Sequence, residues 1–487
     1  MMYRNGQTTT RTVFRAAARA RIWFVAAILC GARLASSAHA DSFAQPSLRS
    51  EIIENGQFIQ IPGPNPILKP GPEGAWDDGV TEASDAFRDV GTYYFYYHGT
   101  GSGKGYRLEV ATADHPLGPF KKHGDKPVLD LGPKGSWDDS HVACAMVFKE
   151  TDEKYYMWYS GMGTASKGWS VGLATAEHPL GPWKKYEGNP ILNDFGYVGG
   201  MCKVKGKYHL YVAHPISWKK YDYKGDYSPL ALALADKPEG PWTEYAGNPL
   251  MIKGEREDWD DGGISEAEVL YHNGAFHMFY GGTERYGPRL EHLGYAYSLD
   301  GYNFVKYARN PVAVRNANPN AAAFAEVHAI IEPPFIYIYH TLRYAHEDGK
   351  DYPWTEDLGV QVLATQTPFS IDMPVLDLPT LAPKTTTALD DSRPICLSHI
   401  NRFALTVECS YSSNAKKSIR VHVRASYDGM KYDTTDLYTL VGVLQPGQRA
   451  RKTFVLESKV RFVKVFVEKP DASESVSDLR VISHLGS

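Results

Sequence analysis

The stretch AWDDGVTEASDAFRDVGTYYFYYHG, residues 75–99, decides the fold because the chain repeats it. Two related stretches are SWDDSHVACAMVFKETDEKYYMWYSG, residues 136–161, and DWDDGGISEAEVLYHNGAFHMFYGG, residues 258–282. Each contains a WDD turn, a short strand, a polar hairpin and an aromatic-rich strand. Such a regular repeat predicts structural units that pack side by side.

A second half follows each copy and completes the unit. It reads YRLEVATADHPLGPF from Tyr106, WSVGLATAEHPLGPW from Trp169 and PLALALADKPEGPW from Pro229, with weaker copies LGYAYSLDGYNF from Leu293 and LGVQVLATQTPF from Leu358. Asn-Pro turns at Asn189, Asn248 and Asn310 punctuate the units. Units of four short strands without helical periodicity predict an all-β fold, a five-bladed β-propeller over residues 50–383. Functional groups are expected on the first strand of each blade, which lines the central funnel.

The pattern changes after the repeats. Residues 384–387, KTTT, are predicted as a linker. Residues 390–487 alternate polar and apolar side chains, as in SIRVHV from Ser418, which predicts an antiparallel β-sandwich as an accessory domain. The phrases ASYDG, residues 425–429, and VRFVKV, residues 460–465, resemble discoidin-type accessory domains, and both a structural and a sugar-binding role stay open.

The N-terminus has the features of a signal peptide over residues 1–40. Several arginines precede the apolar run 22–32, and Ala38-His39-Ala40 has the form of a cleavage site. No later stretch is apolar enough to span a bilayer, so we expect a secreted or periplasmic protein without a membrane span. A net charge of −4 argues against a nucleic-acid partner. The sequence does not indicate the oligomeric state.

Four cysteines remain after removal of the signal peptide. Cys396 and Cys409 could form a disulfide in an oxidising compartment. Cys144 and Cys202 are expected as small buried residues on inner strands. The spacing of cysteines and histidines does not indicate a zinc site.

The WDD turns, the YYMWYSG strand, the HPLGPF and HPLGPW edges and the Asn-Pro turns together resemble the five-bladed propellers of glycoside hydrolase families 43, 32 and 117. The resemblance covers nearly all of residues 50–383. It implies a carbohydrate substrate, such as a plant or algal polysaccharide or oligosaccharide, that is cleaved at the ends of its chains. It implies no required cofactor, although a central calcium or another ion could occupy the funnel.

The acidic residues depart from the family 43 pattern, in which blades one, two and three supply Asp, Asp and Glu at one slot of the first strand. Here that slot holds Ala83, Cys144, Gly200, Glu266 and Glu326. Acidic groups lie in blades one, four and five instead, an arrangement similar to family 117. The predicted catalytic residues are therefore Glu82, Asp85, Glu266, Glu326 and His328.

The resemblance implies an inverting reaction with two groups in different roles. Glu82 or Asp85 would act as the base, and Glu326 or His328 as the acid. Glu266 would tune the site, with a structural salt bridge as the alternative for this carboxylate.

Six further residues are predicted to bind substrate. The Asp doublets recur in three blades, which favours a role in turns, although Asp78 and Asp139 could bind sugar hydroxyls at the funnel mouth. His141 departs from the repeat and could bind a hydroxyl or cap the turn. Flat aromatic faces pack on sugar rings, which makes Trp137, Trp169 and Trp218 candidate platforms, with ordinary blade packing as the alternative. Trp218 lies in the insertion SWKKYDYKGDY, residues 217–227, which could close over the substrate.

Three other functions remain open. A non-catalytic carbohydrate-binding propeller would show scattered sites without converging acids. A glycoside phosphorylase like those of family 130 would need cationic groups for phosphate, for which Arg285 and Arg343 are available. A structural propeller would dock another secreted protein through apolar surface patches.

Overall fold

The described chain consists of antiparallel β-sheets and one short 3₁₀ helix, Leu389–Asp391, which confirms the predicted all-β class. The computed structural model describes residues 57–101, 105–213, 229–285, 291–315, 322–344 and 355–487. The predicted signal peptide and the insertion that contains Trp218 lie outside these ranges. Within them, no helix has the length and apolar character needed to cross a membrane.

In the described ranges, five four-stranded sheets follow one another along the chain, and we number them in chain order. Strand β1 (Ile59–Pro62) comes first in the chain but belongs to sheet 5. Sheet 1 contains β2 (Val80–Asp89), β3 (Thr92–Thr100), β4 (Arg107–Ala113) and β5 (Lys121–Lys122). Sheet 2 contains β6 (His141–Thr151), β7 (Lys154–Met162), β8 (Ser170–Ala176) and β9 (Lys184–Lys185). Sheet 3 contains β10 (Tyr197–Val204), β11 (Lys207–Ala213), β12 (Ala231–Ala235) and β13 (Thr243–Glu244).

The last two of these sheets differ in how they end. Sheet 4 contains β14 (Gly263–His272), β15 (Ala275–Thr283), β16 (His292–Ser298) and β17 (Val305–Lys306). Sheet 5 contains β18 (Ala322–Glu332), β19 (Phe335–Tyr344), β20 (Thr355–Ala364) and, as its outer strand, β1. The N-terminal strand therefore completes the sheet that the end of the repeat region begins.

The first strands of the five sheets contact one another in a closed cycle, from β2 through β6, β10, β14 and β18 back to β2. We call this assembly the ring. Separate clusters of buried apolar side chains fill the spaces between neighbouring sheets, for example Tyr96 and Met157 between sheets 1 and 2, and Trp158 and Leu210 between sheets 2 and 3. Burial of these large side chains provides most of the free energy that holds the sheets together.

The WDD turn has the same geometry in sheets 1, 2 and 4, and this geometry gives the first aspartate of each doublet a structural role. The first aspartate of each doublet is buried and accepts hydrogen bonds from a tyrosine of the second strand and a lysine of the fourth strand. In sheet 2, Asp138 accepts bonds from the Tyr159 hydroxyl at 3.2 Å and from Lys185 Nζ at 2.6 Å. Asp77 in sheet 1 and Asp260 in sheet 4 make the same contacts. In these three sheets, the ion pairs connect the fourth strand to the WDD turn that precedes the first strand.

Two further sheets follow the ring, and we call them the C-terminal sheets. One has the order β21 (Ser370–Leu381), β29 (Val476–Gly486), β24 (Arg402–Tyr411) and β27 (Arg449–Leu456). The other has the order β22 (Thr385–Thr386), β28 (Phe462–Lys469), β25 (Arg420–Ser426) and β26 (Tyr438–Val441), with β23 (Ile395–Cys396) also paired to β28. Strand β21 lies within the range predicted for the propeller and β22 within the predicted linker, so the C-terminal sheets begin before the predicted boundary. Their apolar core is continuous with the core between sheets 5 and 1.

The suggested disulfide between Cys396 and Cys409 does not form. Both thiols are buried and unbonded; Cys396 lies on β23 in one C-terminal sheet and Cys409 lies on β24 in the other. Cys144 and Cys202 are buried thiols, as the sequence predicts.

We expect Asp138→Ala to lower the free energy of unfolding by about 3 kcal/mol, because it leaves the half-buried Lys185 ammonium without its partner. Asp152→Ala is a matched control, since the Asp152 side chain is 94% exposed and its ion pair with Lys149 should contribute less than about 1 kcal/mol. Equilibrium chemical denaturation measures both values. Equal losses in the two variants would contradict the structural role of the doublet.

Candidate functional site

A β-bulge interrupts the first strand of every sheet in the ring, and the bulges shape the centre. The pairing register shifts after Ala83, Ala143, Val198, Ile264 and Ala325. Bulges re-aim side chains and are typical of functional sites. Two bulge residues, Cys144 and Glu326, have a φ of 45°, which is unusual for a residue with a side chain and indicates a locally over-determined backbone.

The pairing of each first strand with its second strand shows which first-strand positions are equivalent in the five sheets. The residues opposite Tyr96, Trp158, Tyr211, Phe279 and Tyr339 are, in order, Asp85, Met146, Gly200, Glu268 and His328. Gly200 is therefore equivalent to Asp85. The slot of Ala83 was predicted to hold Gly200 in sheet 3, and the pairing shows that Val198 holds it instead, two residues earlier.

Two predicted catalytic carboxylates meet at one guanidinium, where sheet 5 adjoins sheet 1. Arg343 Nη2 donates to Glu326 Oε1 at 2.7 Å and to Glu82 Oε1 at 3.0 Å. Both glutamates are buried, whereas the arginine side chain is 20% exposed. A single cation between two carboxylates leaves a net negative charge in this group of three side chains.

Glu82 has a second donor on its other oxygen. His98 Nε2 lies 2.8 Å from Glu82 Oε2. Burial raises the pKa of the Glu82 carboxyl, but the bond to His98 and the charge of Arg343 outweigh burial and bring the pKa to about 2. Glu82 is therefore an ionised carboxylate at every pH near neutrality.

Glu266 lies in the bulge of sheet 4 and is half-buried, unlike Glu82 and Glu326. Several acidic groups from different sheets act on one side chain, Tyr197, which locates them around a common centre. Burial raises the pKa of the Tyr197 hydroxyl, and nearby acidic groups raise it further. These groups are Cys144, Glu266, Glu82 and Glu326. The structure thus brings together the predicted acidic residues of sheets 1, 4 and 5.

Aromatic side chains form an arc beside these carboxylates, along sheets 1 to 3. The ring of Tyr106 lies 5.5 Å from the ring of His141, which lies 5.5 Å from Trp169, which in turn lies 4.6 Å from Tyr197. All four side chains are half-buried. His141 and Trp169 are therefore placed near the acidic centre, as the sequence predicts.

The remaining predicted catalytic residues, Asp85 and His328, belong to a second and more deeply buried group. Together with Glu268 they bring one ligand atom each to within 4.8 Å of one another. Burial raises the pKa of Asp85 to about 7 and that of Glu268 well above its ordinary value, with the charge of Asp85 adding to the effect on Glu268. Burial, assisted by His98, lowers the pKa of His328 to about 3, so its imidazole is neutral at pH 7 and has no proton of an imidazolium to donate.

Both carboxyls of this buried group accept backbone hydrogen bonds from the next sheet. Val147 N in sheet 2 donates to Asp85 Oδ2 at 2.7 Å, and Ala329 N in sheet 5 donates to Glu268 Oε2. The equivalent pair of positions between sheets 3 and 4 uses glycine, because a Cβ on Gly200 would lie 2.6 Å from Val269 N. Asp85 therefore serves contacts between sheets rather than the more exposed acidic centre.

Asp85, Glu268 and His328 also have the composition of an ion site. His328 Nδ1 lies 3.8 Å from Glu268 Oε2, too far for a hydrogen bond, so this nitrogen is available as a ligand. Two carboxyls and one imidazole suit a transition-metal dication better than calcium, which takes six to eight oxygen ligands. Of the ions that the sequence left open for the funnel, calcium therefore fits this group less well than a transition-metal ion.

Three predicted substrate-binding residues lie elsewhere. Trp137 packs at 5.6 Å on Tyr159, and side chains at Gly161 or Gly172 would collide with its ring, so it is a packing residue of sheet 2. Asp78 Oδ2 accepts from Gly74 N at 2.7 Å, which makes it a turn residue. Asp139 accepts from Gly135 N and from Thr164, and these bonds lower its pKa to about 2. Trp218 lies outside the described residues.

Two residues that contact Glu82 are absent from the predicted catalytic set: His98, which the sequence did not single out, and Arg343, which was expected only as a possible phosphate ligand. His98 occupies a second-strand position that holds Ser160, Ala213, Gly281 and Thr341 in the other sheets, and Arg343 occupies one that holds Thr100, Met162 and Thr283. Both residues break the repeat. Searching the second strands for such departures, in the way that the first strands were searched, would have found them.

Comparison with known proteins identifies carbohydrate-active enzymes as relatives. No protein-family profile matches the chain. The chain is 27% identical over 241 residues to extracellular endo-α-(1→5)-L-arabinanase 2 of Bacillus subtilis, an alignment that covers 45% of this chain and 44% of the relative. It is 39% identical over 78 residues to a 1,2-β-oligomannan phosphorylase of Thermoanaerobacter, covering 15% of this chain and 23% of the relative. The predicted resemblance to glycoside hydrolases is confirmed.

The aligned regions span less than half the length of either curated relative. Among solved structures, a glycosyl hydrolase from Bacteroides ovatus superposes with a TM-score of 0.46 and 16% identity, over 63% of this chain and 93% of that chain.

We expect Asp85→Asn to stabilise the protein as the pH rises. The native carboxyl keeps its proton up to about pH 7, whereas the unfolded carboxyl releases it near its ordinary pKa of 3.8, so the native state loses stability between these values. Asparagine cannot titrate and still offers an acceptor to Val147 N. The melting temperature of the variant relative to wild type should therefore increase from pH 5 to pH 8, by about 2 °C or more.

Asp89→Asn on the same strand is the control with the opposite sign. Burial raises the pKa of Asp89, but bonds from Lys149 and Tyr155 outweigh burial and lower it, so its charge stabilises the native state at neutral pH. This variant should lose stability relative to wild type between pH 3 and pH 6. The same pH trend in both variants would contradict the raised pKa of Asp85.

Proposed function

We propose that this protein is a secreted glycoside hydrolase whose ring is a five-bladed β-propeller and whose C-terminal sheets are a β-sandwich accessory domain. The closed cycle of first strands supports the propeller, and the continuous apolar core between the two C-terminal sheets supports the sandwich. The predicted signal peptide and the extracellular arabinanase relative support secretion. Propeller and sandwich would divide near residue 369, the last before β21.

The observation that carries the hydrolase assignment is the meeting of Glu82, Glu266 and Glu326 beside an arc of half-buried aromatic rings. Glycoside hydrolysis needs two carboxyl groups around the scissile bond, one of them ionised. Aromatic rings beside carboxyl groups are suited to the apolar faces of a sugar. A non-catalytic binding protein would not require carboxylates from three different sheets in one place.

We assign the base to Glu82, because a carboxylate with a pKa of about 2 accepts a proton from water without first losing one. Glu266 is the second member of the pair, since it is the most exposed of the three glutamates. Glu326 accepts a hydrogen bond from Arg343 and thereby positions the guanidinium next to Glu82. Two parts of the proposal rest on the resemblance alone: inversion at the anomeric carbon and cleavage at the ends of the polysaccharide chain. The anomeric configuration of the first released sugar tests inversion.

Phosphorolysis is the second candidate function, because one relative is an oligomannan phosphorylase. Arg343 is the cation at the centre, and its charge is already shared by two carboxylates. Arg285 lies at a turn, 3.8 Å from Asp261. A phosphate dianion would meet net negative charge at Glu82, Glu326 and Arg343, so we favour water as the acceptor.

The substrate is proposed to be a plant or algal polysaccharide or an oligosaccharide derived from one. The first substrates to test are α-1,5-arabinan, after the arabinanase relative, and β-1,2-mannooligosaccharides, after the phosphorylase relative. We propose that no organic cofactor is required. Removal of bound ions with a chelator tests any contribution of the buried group of Asp85, Glu268 and His328.

Glu82→Gln and Glu266→Gln should each lower kcat by about 100-fold or more, since each removes one member of the acid–base pair. Sugar release from the substrate panel, with and without inorganic phosphate, is the measurement. Glu332→Gln is the matched control, because Glu332 lies at the far end of β18 and binds Arg88 and Tyr93. Sugar release that requires phosphate would show phosphorolysis instead of hydrolysis. Equal activity of all three variants would contradict the assignment of Glu82 and Glu266 as the acid–base pair.

Trp169→Ala should raise KM by about fivefold with little change in the melting temperature, because a lost stacking surface weakens binding by about 1 kcal/mol. Trp242→Ala is the control. Trp242 is also half-buried, but it packs on Trp158 and donates to Pro238 O, away from the acidic centre. This control should lower the melting temperature and leave KM unchanged; the reverse pattern would exclude Trp169 as a sugar platform.

A further inference from the structure

A row of three buried side chains ends at Glu82. Ser84 Oγ lies 2.8 Å from His98 Nδ1, and His98 Nε2 lies 2.8 Å from Glu82 Oε2. Serine, histidine and a carboxylate in line are the parts of a nucleophilic triad. Ser84 has no exposed surface, however, so a substrate cannot reach its hydroxyl. The row must therefore act through its other end, on Glu82.

A backbone group of the neighbouring sheet defines the tautomer of His98. The N–H of Cys144 points at His98 Nδ1 from 3.5 Å, and an N–H donor there requires that Nδ1 be an acceptor. The Ser84 hydroxyl then donates to the same nitrogen. The imidazole proton consequently sits on Nε2 and is donated to the Glu82 carboxylate.

The bulge of sheet 2 is the reason that the Cys144 N–H can reach this position. Cys144 has a φ of 45°, a conformation that costs energy for a residue with a side chain. Its side chain is buried, and burial raises the pKa of the thiol well above its ordinary value, so the thiol is not a nucleophile at neutral pH. The strained backbone at Cys144 therefore has a physical role, which is to direct the Cys144 N–H towards His98 Nδ1.

His98 and Glu82 depart from the repeat together. Where sheet 1 has Glu82, the other four sheets carry no acidic residue, and where sheet 1 has His98 they carry Ser160, Ala213, Gly281 and Thr341. A histidine that only filled space would not need to occur in the one sheet that places a glutamate within its reach. The pair is therefore one functional unit.

We propose that His98 is a positioning residue for Glu82: its fixed Nε2–H tautomer orients the carboxylate and holds it ionised while Arg343 binds the other oxygen. This inference depends on the proposed function, in which Glu82 is the base. His98 itself transfers no proton to substrate, because both of its nitrogens are engaged by protein groups.

The test compares two substitutions of His98. His98→Leu removes the donor, so kcat/KM should fall by about 10- to 100-fold, and the acid limb of its pH profile should move upward by about one pH unit because Glu82 is protonated more easily. His98→Gln keeps an N–H donor at a similar reach and should restore most of the position of the acid limb. A loss of rate in both variants with no movement of the acid limb would overturn the positioning role.

A second measurement does not depend on activity. Nitrogen-15 NMR of the histidine rings, with the signals of His98 assigned from their loss in His98→Gln, reports the tautomer directly. The expected result is a proton on Nε2, and a ring that carries its only proton on Nδ1 would overturn the inference. If the wild-type protein releases no sugar from any substrate, the proposed function fails, and this measurement still decides whether the row from Ser84 to Glu82 is built as described.

Discussion

Backbone N–H groups of the first strands impose the main constraint on this molecule. Adjacent first strands in the ring contact each other without forming a continuous ladder, so their buried N–H groups need acceptors from side chains. In the described residues, five such bonds cross between sheets: Ala83 N to Thr341 Oγ1, Cys144 N to His98 Nδ1, Val147 N to Asp85, Val198 N to Ser160 Oγ and Ala329 N to Glu268. These polar side chains at the centre therefore serve the fold, because they accept hydrogen bonds from backbone N–H groups that would otherwise be buried without a partner.

This requirement separates two kinds of buried acid. Asp85 and Glu268 accept backbone N–H groups, keep raised pKa values and serve the fold. Glu82 and Glu326 accept bonds from a charged side chain, Arg343, and the bond from His98 together with Arg343 lowers the pKa of Glu82 to about 2 despite its burial. A neutral carboxyl that satisfies a backbone donor costs little to bury, whereas an ionised one needs a cation. The donor that a central carboxyl binds therefore indicates which purpose it serves.

The sequence was sufficient to predict the sheets and part of the site. The repeat predicted units of four strands, and departures from the repeat on first strands pointed to Glu82, Glu266 and Glu326, which lie around one centre in the structure. Gly200 was misaligned because the first strand of sheet 3 lacks the WDD turn that fixes the alignment in sheets 1, 2 and 4. Trp137 was misassigned because a tryptophan that packs on a blade and one that faces a sugar look the same in a sequence. His98 and Arg343 were predictable in principle, on strands that were not searched.

The acidic centre lies where the last sheet of the ring meets the first, and this position couples folding to function. Arg343 and Glu82 are 261 residues apart in the chain, so their contact forms only when sheet 5 closes on sheet 1. Strand β1 closes the same sheet from its outer edge by pairing with β20. Bringing such distant segments together has an entropic cost that only the packed ring can offset. Closure of the ring brings Arg343 to Glu82, so the same event that completes the fold also assembles the proposed base with its cation.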